Sequence, residues 1–312
     1  MPDPRIKALR RFALSISVFT VLGHVWLGFE QAYLTPVVAL LTAYALSLLL
    51  ETVDAWARHT TPRWRGSPVD LVNFLLPAHI AALACAMLLY GNQRLLPTVF
   101  AVAVAVSGKY VFRVRVNGSL RHMMNPSNFG IAVTLILFSA VAIAPPYQFT
   151  ETTGTIVDWA VPAAILTAGT MLNGKLTGKL PLIAAWVGGF ALQAVLRAVF
   201  LDVALVSALV AMTGVAFVLF TNYMITDPGT TPVRPRDQVL FGLSTAGVYG
   251  LLLVAHITFG LFFALVIVCG ARLVITWFRE RLHSRRAPAG ATHPAPARRL
   301  PEPAGLARRA VS

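Results

Sequence analysis

Apolar residues fall in long unbroken runs along this chain, separated by short polar segments that hold most of its Lys, Arg and Asn. Ten runs reach the roughly 17 to 25 residues that cross a hydrocarbon core: 12–29, 33–51, 70–90, 95–112, 126–144, 156–172, 180–200, 203–224, 238–255 and 258–278. They are continuously apolar rather than alternating, which predicts helices and not the strands of a barrel. The expected fold is an all-α polytopic membrane protein with about ten transmembrane helices, 156–172 being the weakest span.

Composition agrees. With 312 residues, 57% of them hydrophobic and 12% charged, the chain has too much apolar surface for one soluble core, so a lipid bilayer is its expected partner. Of its 26 Lys and Arg, 23 lie in the N-terminal segment, in or at the edge of every second loop, or after residue 278; Arg94 and Arg197 lie on the other side and Arg272 inside the last run. That asymmetry places the protein in the cytoplasmic membrane with both termini cytoplasmic, and it makes the net charge of +14 an orientation feature rather than a nucleic-acid footprint. The first run has no convincing small-residue cleavage site and is expected to stay as a helix. Residues 1–278 form the membrane domain, and the Pro-, Ala- and Arg-rich residues 279–312 read as a disordered basic tail.

Two polar stretches interrupt the pattern. In "RHMMNPSNFG" (121–130), Asn125 suits an N-cap and Pro126 the first helical position, so a helix entrance explains both. It does not explain Asn128, whose amide would share a face with that of Asn125 at the positive end of a helix. In "NYMITDPGTTPVRPRDQ" (222–238), Asp227-Pro228-Gly229 reads as a turn, flanked by Thr226, Thr230 and Thr231. By the charge asymmetry both stretches face one compartment. Asn125, Asn128, Thr226 and Asp227 are the candidate ligand-binding residues.

The remaining polar groups read as structural. His24 and His79 are expected to be hydrogen-bonded core histidines, Asp70 a helix cap, and Cys85 and Cys269 buried thiols; no metal site is expected. "LNGKLTGKLPL" (172–182) lacks phosphate-loop spacing and reads as a basic turn, while Gly130 and the glycines of "GGF" (188–190) allow close helix approach. Neither a Ser-His-Asp order nor an H-E-x-x-H pattern is present.

"NPSNFGIAVTLILF" and "MITDPGTTP" resemble the Asn-Pro and Asp-Pro segments of the RnfD/NqrB family of membrane subunits in flavin-linked electron transport, over residues 66 to 278. "RHMMNPSNFGIAVTL", "IAPPYQFTE", "LPLIAAWVGGFALQA" and "MTGVAFVLFTNYMITDPGTTPVRPRDQVLFG" are similar to UnbU-type membrane proteins that accompany enediyne polyketide biosynthesis in actinobacteria. The resemblance implies a place in making an enediyne natural product, with other pathway proteins and a polyene or enediyne intermediate as partners. It also implies a non-covalent flavin, riboflavin or FMN, near Asn125, Asn128, Thr226 and Asp227. Covalent FMN is not expected, because the Ser-Gly-Ala-Thr-like attachment sequence is missing and "TETTGT" (150–155) does not replace it.

Three functions remain open from the sequence. The favoured one is a membrane subunit that assists redox maturation of the enediyne core, as a possible oxidoreductase or electron-transfer subunit. A transporter of product, intermediate or ions is the second, and a non-catalytic anchor that gathers pathway enzymes is the third.

Overall fold

The computed structural model describes residues 4–116, 119–145 and 155–286; the expected tail beyond Arg286 and the "TETTGT" stretch up to Gly154 lie outside the described residues. Eleven helices and two small two-stranded ladders make up the described chain. In order, α1 is Pro4–Val25, α2 Leu34–Ala57 and α3 Pro68–Leu88, followed by β1 (Leu89–Tyr90) and α4 (Leu95–Val111). The hairpin strands β2 (Arg113–Val116) and β3 (Ser119–His122) lead into α5 (Pro126–Leu137), and β4 (Ala142–Ile143) returns to pair with β1. Next comes α6 (Thr155–Leu172), prolonged by a π-helical turn at Asn173–Thr177, and then α7 (Leu180–Leu201). Then come α8 (Leu205–Val210) and α9 (Val215–Leu219), the latter prolonged by a second π-helical turn at Phe220–Met224. The chain ends in α10 (Pro235–Val254) and α11 (Gly260–Arg286).

Among the described residues, six helices are long and apolar enough to cross a membrane: α1, α2, α3, α7, α10 and α11. The paired α8 and α9 segments, bent by 64° at a short break, make a seventh if they form one broken span. This fits a multi-pass, all-α membrane protein, with fewer full-length helices than the ten apolar runs suggest. The reason lies in where the helices end or break within the runs. The run 126–144 becomes a helix of only 12 residues, roughly 18 Å long, because Phe138 leaves the helix and β4 takes over. In the run 203–224 the helix breaks at Gly214, whose backbone is extended. α4 has 17 residues, and α6 carries Pro162 inside it. α11, by contrast, continues past the expected end at 278 as far as Arg286, with Arg281 stacked 3.9 Å from the Trp277 ring centre.

Local chemistry sets the helix starts. Ser67 and Asp70 form a reciprocal capping box at α3, with Pro68 in the first turn, so Asp70 is the cap the sequence suggests. Asn125 caps α5 by accepting the Asn128 N–H at 2.9 Å, and Pro126 occupies the first turn. The β2–β3 hairpin and both π turns have no counterpart in the expected pattern.

The helices close on small residues. A methyl on Gly130 would lie 2.2 Å from the Ala101 carbonyl and 2.9 Å from the Ala105 side chain, so α5 opens beside the middle of α4 rather than at its rim. Gly189 meets Ala246 where α7 and α10 pack, whereas Gly188 faces open space. Around this contact Trp186, Phe190, Phe217, Phe220 and Tyr249 form an aromatic cluster, and the Trp186 indole donates to Thr221 at 2.9 Å. Elsewhere Glu51, which is almost fully buried, is held by Arg63 at 2.6 Å and by Tyr110 at 3.3 Å, while Asp54 binds Arg58 and Arg113. These bonds tie the end of α2 to the loop after it and to the end of α4.

The intramembrane histidines are each hydrogen-bonded within the core. His79 lies between the Ser17 and Tyr44 hydroxyls, both at 2.7 Å, and His24 bonds the Thr20 carbonyl at 2.8 Å. Cys85 and Cys269 are buried and free, and the Cys85 thiol points at the Ser127 carbonyl, 3.8 Å away.

Candidate functional site

Both polar breaks turn inward and meet. The α5 entrance lies beside Cys85, Ala101 and Ala105, and the segment after α9 lies against α11, where Arg272 donates to the Thr230 carbonyl. Asn125 joins the two: its Nδ2 donates to the Met224 carbonyl at 3.1 Å and to Asp227 Oδ2 at 3.4 Å. Its Oδ1 meanwhile accepts from Ser127 Oγ at 3.0 Å and from the Asn128 N–H. Every hydrogen-bonding atom of this amide is committed to the fold.

Asp227 builds the turn expected of it. Its Oδ1 accepts the Gly229 N–H at 2.9 Å, its Oδ2 accepts the Thr230 hydroxyl at 3.1 Å, and its own carbonyl takes the Thr231 hydroxyl at 2.6 Å. A carboxylate offers about four acceptor positions, so the carboxylate can still accept one more bond.

A cavity of about 650 Å3 opens against this junction, within the range of small-molecule sites. Asn125 and Asp227 line it. Asn128 and Thr226 do not: the Asn128 amide donates to the Phe262 carbonyl of α11 at 2.9 Å, and the Thr226 hydroxyl donates to the Asn222 carbonyl at 2.6 Å. The shared face expected for Asn125 and Asn128 is therefore divided, one amide serving the turn and the other α11. Buried Asn128 keeps an unpartnered Oδ1 among the described residues.

Sequence reading missed Lys109, His122, Lys179 and Tyr223, which line the same cavity. Lys179 is buried, donates to the Pro232 carbonyl at 2.6 Å, and has its pKa pushed down to about 8 by burial, with the Asp227 carboxylate opposing part of that shift. "LNGKLTGKLPL" is thus more than a basic turn. His122 sits against the Asp227–Gly229 turn; burial lowers its pKa and Asp227 resists the change. The Tyr223 hydroxyl is buried with no partner among the described residues. One clue was available: Lys109 falls inside an apolar run, where an ionisable residue is costly and marks a site by default.

No protein-family model matches the chain, and no curated protein matches it. The geometry of the site therefore carries its own interpretation. Among the described residues no group of His, Cys, Asp and Glu is arranged to hold a metal ion.

Proposed function

We propose that this protein is an integral membrane component of enediyne natural-product biosynthesis that holds a non-covalent flavin in the cavity and assists redox maturation of the polyene or enediyne core. The pathway half of the reading rests on the similarity of the Asn125 and Asp227 segments to UnbU-type proteins. The binding half rests on one observation: Asp227, His122, Lys109, Lys179 and Tyr223 converge on a largely apolar cavity.

The donor set suits a flavin ring edge. Lys109, Lys179 and the unpartnered Tyr223 hydroxyl offer donors to ring carbonyl oxygens, and the acceptor position left on Asp227 suits a ring N–H. Asn125 orients Asp227 instead of touching the ring. When bound, the flavin supplies the electron or hydride transfer, and the chain's own residues bind, orient and exclude water. In the finer arrangement, an RnfD/NqrB-like scaffold of ten helices with cytoplasmic termini, α4, α5, α6 and the α8–α9 pair serve as partial or broken crossings.

Two measurements test this. Protein purified in mild detergent should show flavin absorbance, and Asp227→Asn at matched protein level should lose it together with product. Deleting the gene should leave an unprocessed polyene species in the cells. Finished compound trapped inside the cells would instead favour transport, and a colourless protein with full titres from Asp227→Asn would remove the redox reading.

A further inference from the structure

The cavity wall has an apolar part and a charged part. The apolar part runs along α1 from Ala8 to Phe19 and along α3 from Pro77 to Leu88, each stretch roughly 17 Å long at 1.5 Å per residue. The two helices meet through the Ser17–His79 hydrogen bond, so these stretches together line one long apolar side of the cavity. The charged part is unbalanced: Lys109, Arg121 and Lys179 face a single carboxylate, Asp227, with His122 beside it. That carboxylate is occupied by neutral donors, the Gly229 N–H, the Thr230 hydroxyl and the Asn125 amide. Among the described residues no salt bridge reaches it.

The lysines keep donors in reserve. An ammonium has three, of which buried Lys179 spends one on the Pro232 carbonyl. The Lys109 ammonium makes no hydrogen bond or ion pair with a described residue. The Tyr223 hydroxyl, also on the cavity wall, is buried and unpartnered among the described residues. Cations held out of water without a counter-charge cost free energy, and a buried hydroxyl without a partner adds to that cost. Both costs fall if an anion enters.

We infer that the cavity takes an anionic amphiphile, a long-chain carboxylate or phosphate ester, with its chain along the apolar side formed by α1 and α3 and its head against Lys109, Lys179 and Tyr223. The inference goes beyond the flavin reading and does not depend on it, since it rests on the long apolar side and the charge imbalance. Such a molecule has two sources: the anionic lipid of the surrounding bilayer, or a single-chain acid made or consumed in the cell.

The test uses the full chain in detergent with cis-parinaric acid, a fluorescent long-chain polyene carboxylate, and its methyl ester as the uncharged control. The acid is expected to bind with at least about tenfold preference over the ester, the worth of one charge-assisted hydrogen bond. Lys109→Met and Lys179→Met should each erase most of that preference. Lys109→Met is the informative variant if Lys179→Met fails to fold, because the Lys109 ammonium has no bonds to described residues for the fold to lose. Displacement of the acid by phosphatidylglycerol at comparable concentration assigns the site to membrane lipid. Displacement by single-chain acids but not by phosphatidylglycerol assigns it to a free acid. Equal binding of acid and ester, or unchanged preference in a folded Lys109→Met, overturns the inference. Flavin absorbance is read on the same sample, so a colourless protein that binds the acid removes only the flavin reading.

Discussion

Asn125 and Asp227, 102 positions apart in sequence, meet with Nδ2 3.4 Å from Oδ2, and the same amide caps α5 through its oxygen. One side chain thus locks a helix entrance to a turn. Asn125→Ala loses the cap, worth about 1 kcal/mol, and leaves Met224 and Asp227 short of a donor, for about 2 kcal/mol in all. Asn125→Asp keeps a capping oxygen but sets one carboxylate against another. Thermal melts of both variants should be lowered at neutral pH. Acidification should restore Asn125→Asp toward the parent and leave Asn125→Ala low.

Two glycines in different helices should behave oppositely. A methyl at Gly130 would lie 2.2 Å from the Ala101 backbone oxygen, so Gly130→Ala must push α5 off α4, at a cost of about 1 to 3 kcal/mol. Gly188 has nothing within 4 Å of the added methyl, and Gly188→Ala should be neutral or slightly stabilising because alanine favours helix. Unfolding midpoints of the two purified variants check the contrast.

Lys179 predicts a pH dependence of stability. Its pKa in the fold, about 8, lies below the ordinary lysine value of 10.5, so between these values the unfolded chain binds the extra proton and the folded one does not. Stability should therefore rise with pH from about 8 toward 10.5, and the strain of burying the ammonium is fully felt below that window. Lys179→Met should flatten the rise. Melts at the two ends of the window, compared for parent and variant, measure it.

Orientation is tested by reporter fusions. Fusions after residues 62 and 233 should report the cytoplasm and a fusion after 92 the opposite side, as the Lys and Arg distribution requires. An external signal after 233 would move the Asp227 turn to the other face.

What the sequence made legible was local. The cap at Asn125, the turn at Asp227, the capping role of Asp70 and the close approaches of Gly130 and Gly189 each follow from a few adjacent residues, and each is present. What escaped was long-range or depended on length within an apolar run. Hydropathy sees 126–144 as one span, yet backbone bonding ends α5 at Leu137. Asn128 looked like a partner of Asn125 because of their spacing, but its amide finds the Phe262 carbonyl, 134 positions away. Lys179 looked like a loop residue because flanking Gly and Thr are polar, although the fold closes over it.

The two π-helical turns are stapled together: Asn173 Nδ2 donates to the Asn222 carbonyl at 2.8 Å, and that carbonyl also takes the Thr226 hydroxyl. Each such turn holds one residue more than an α-helical turn, and shedding it would swing everything downstream by about 100° about the helix axis. Lys179 follows the first turn and Asp227 the second. The staple links the two: relaxing either turn alone would have to break the Asn173–Asn222 bond, which ties the setting of Lys179 to that of Asp227.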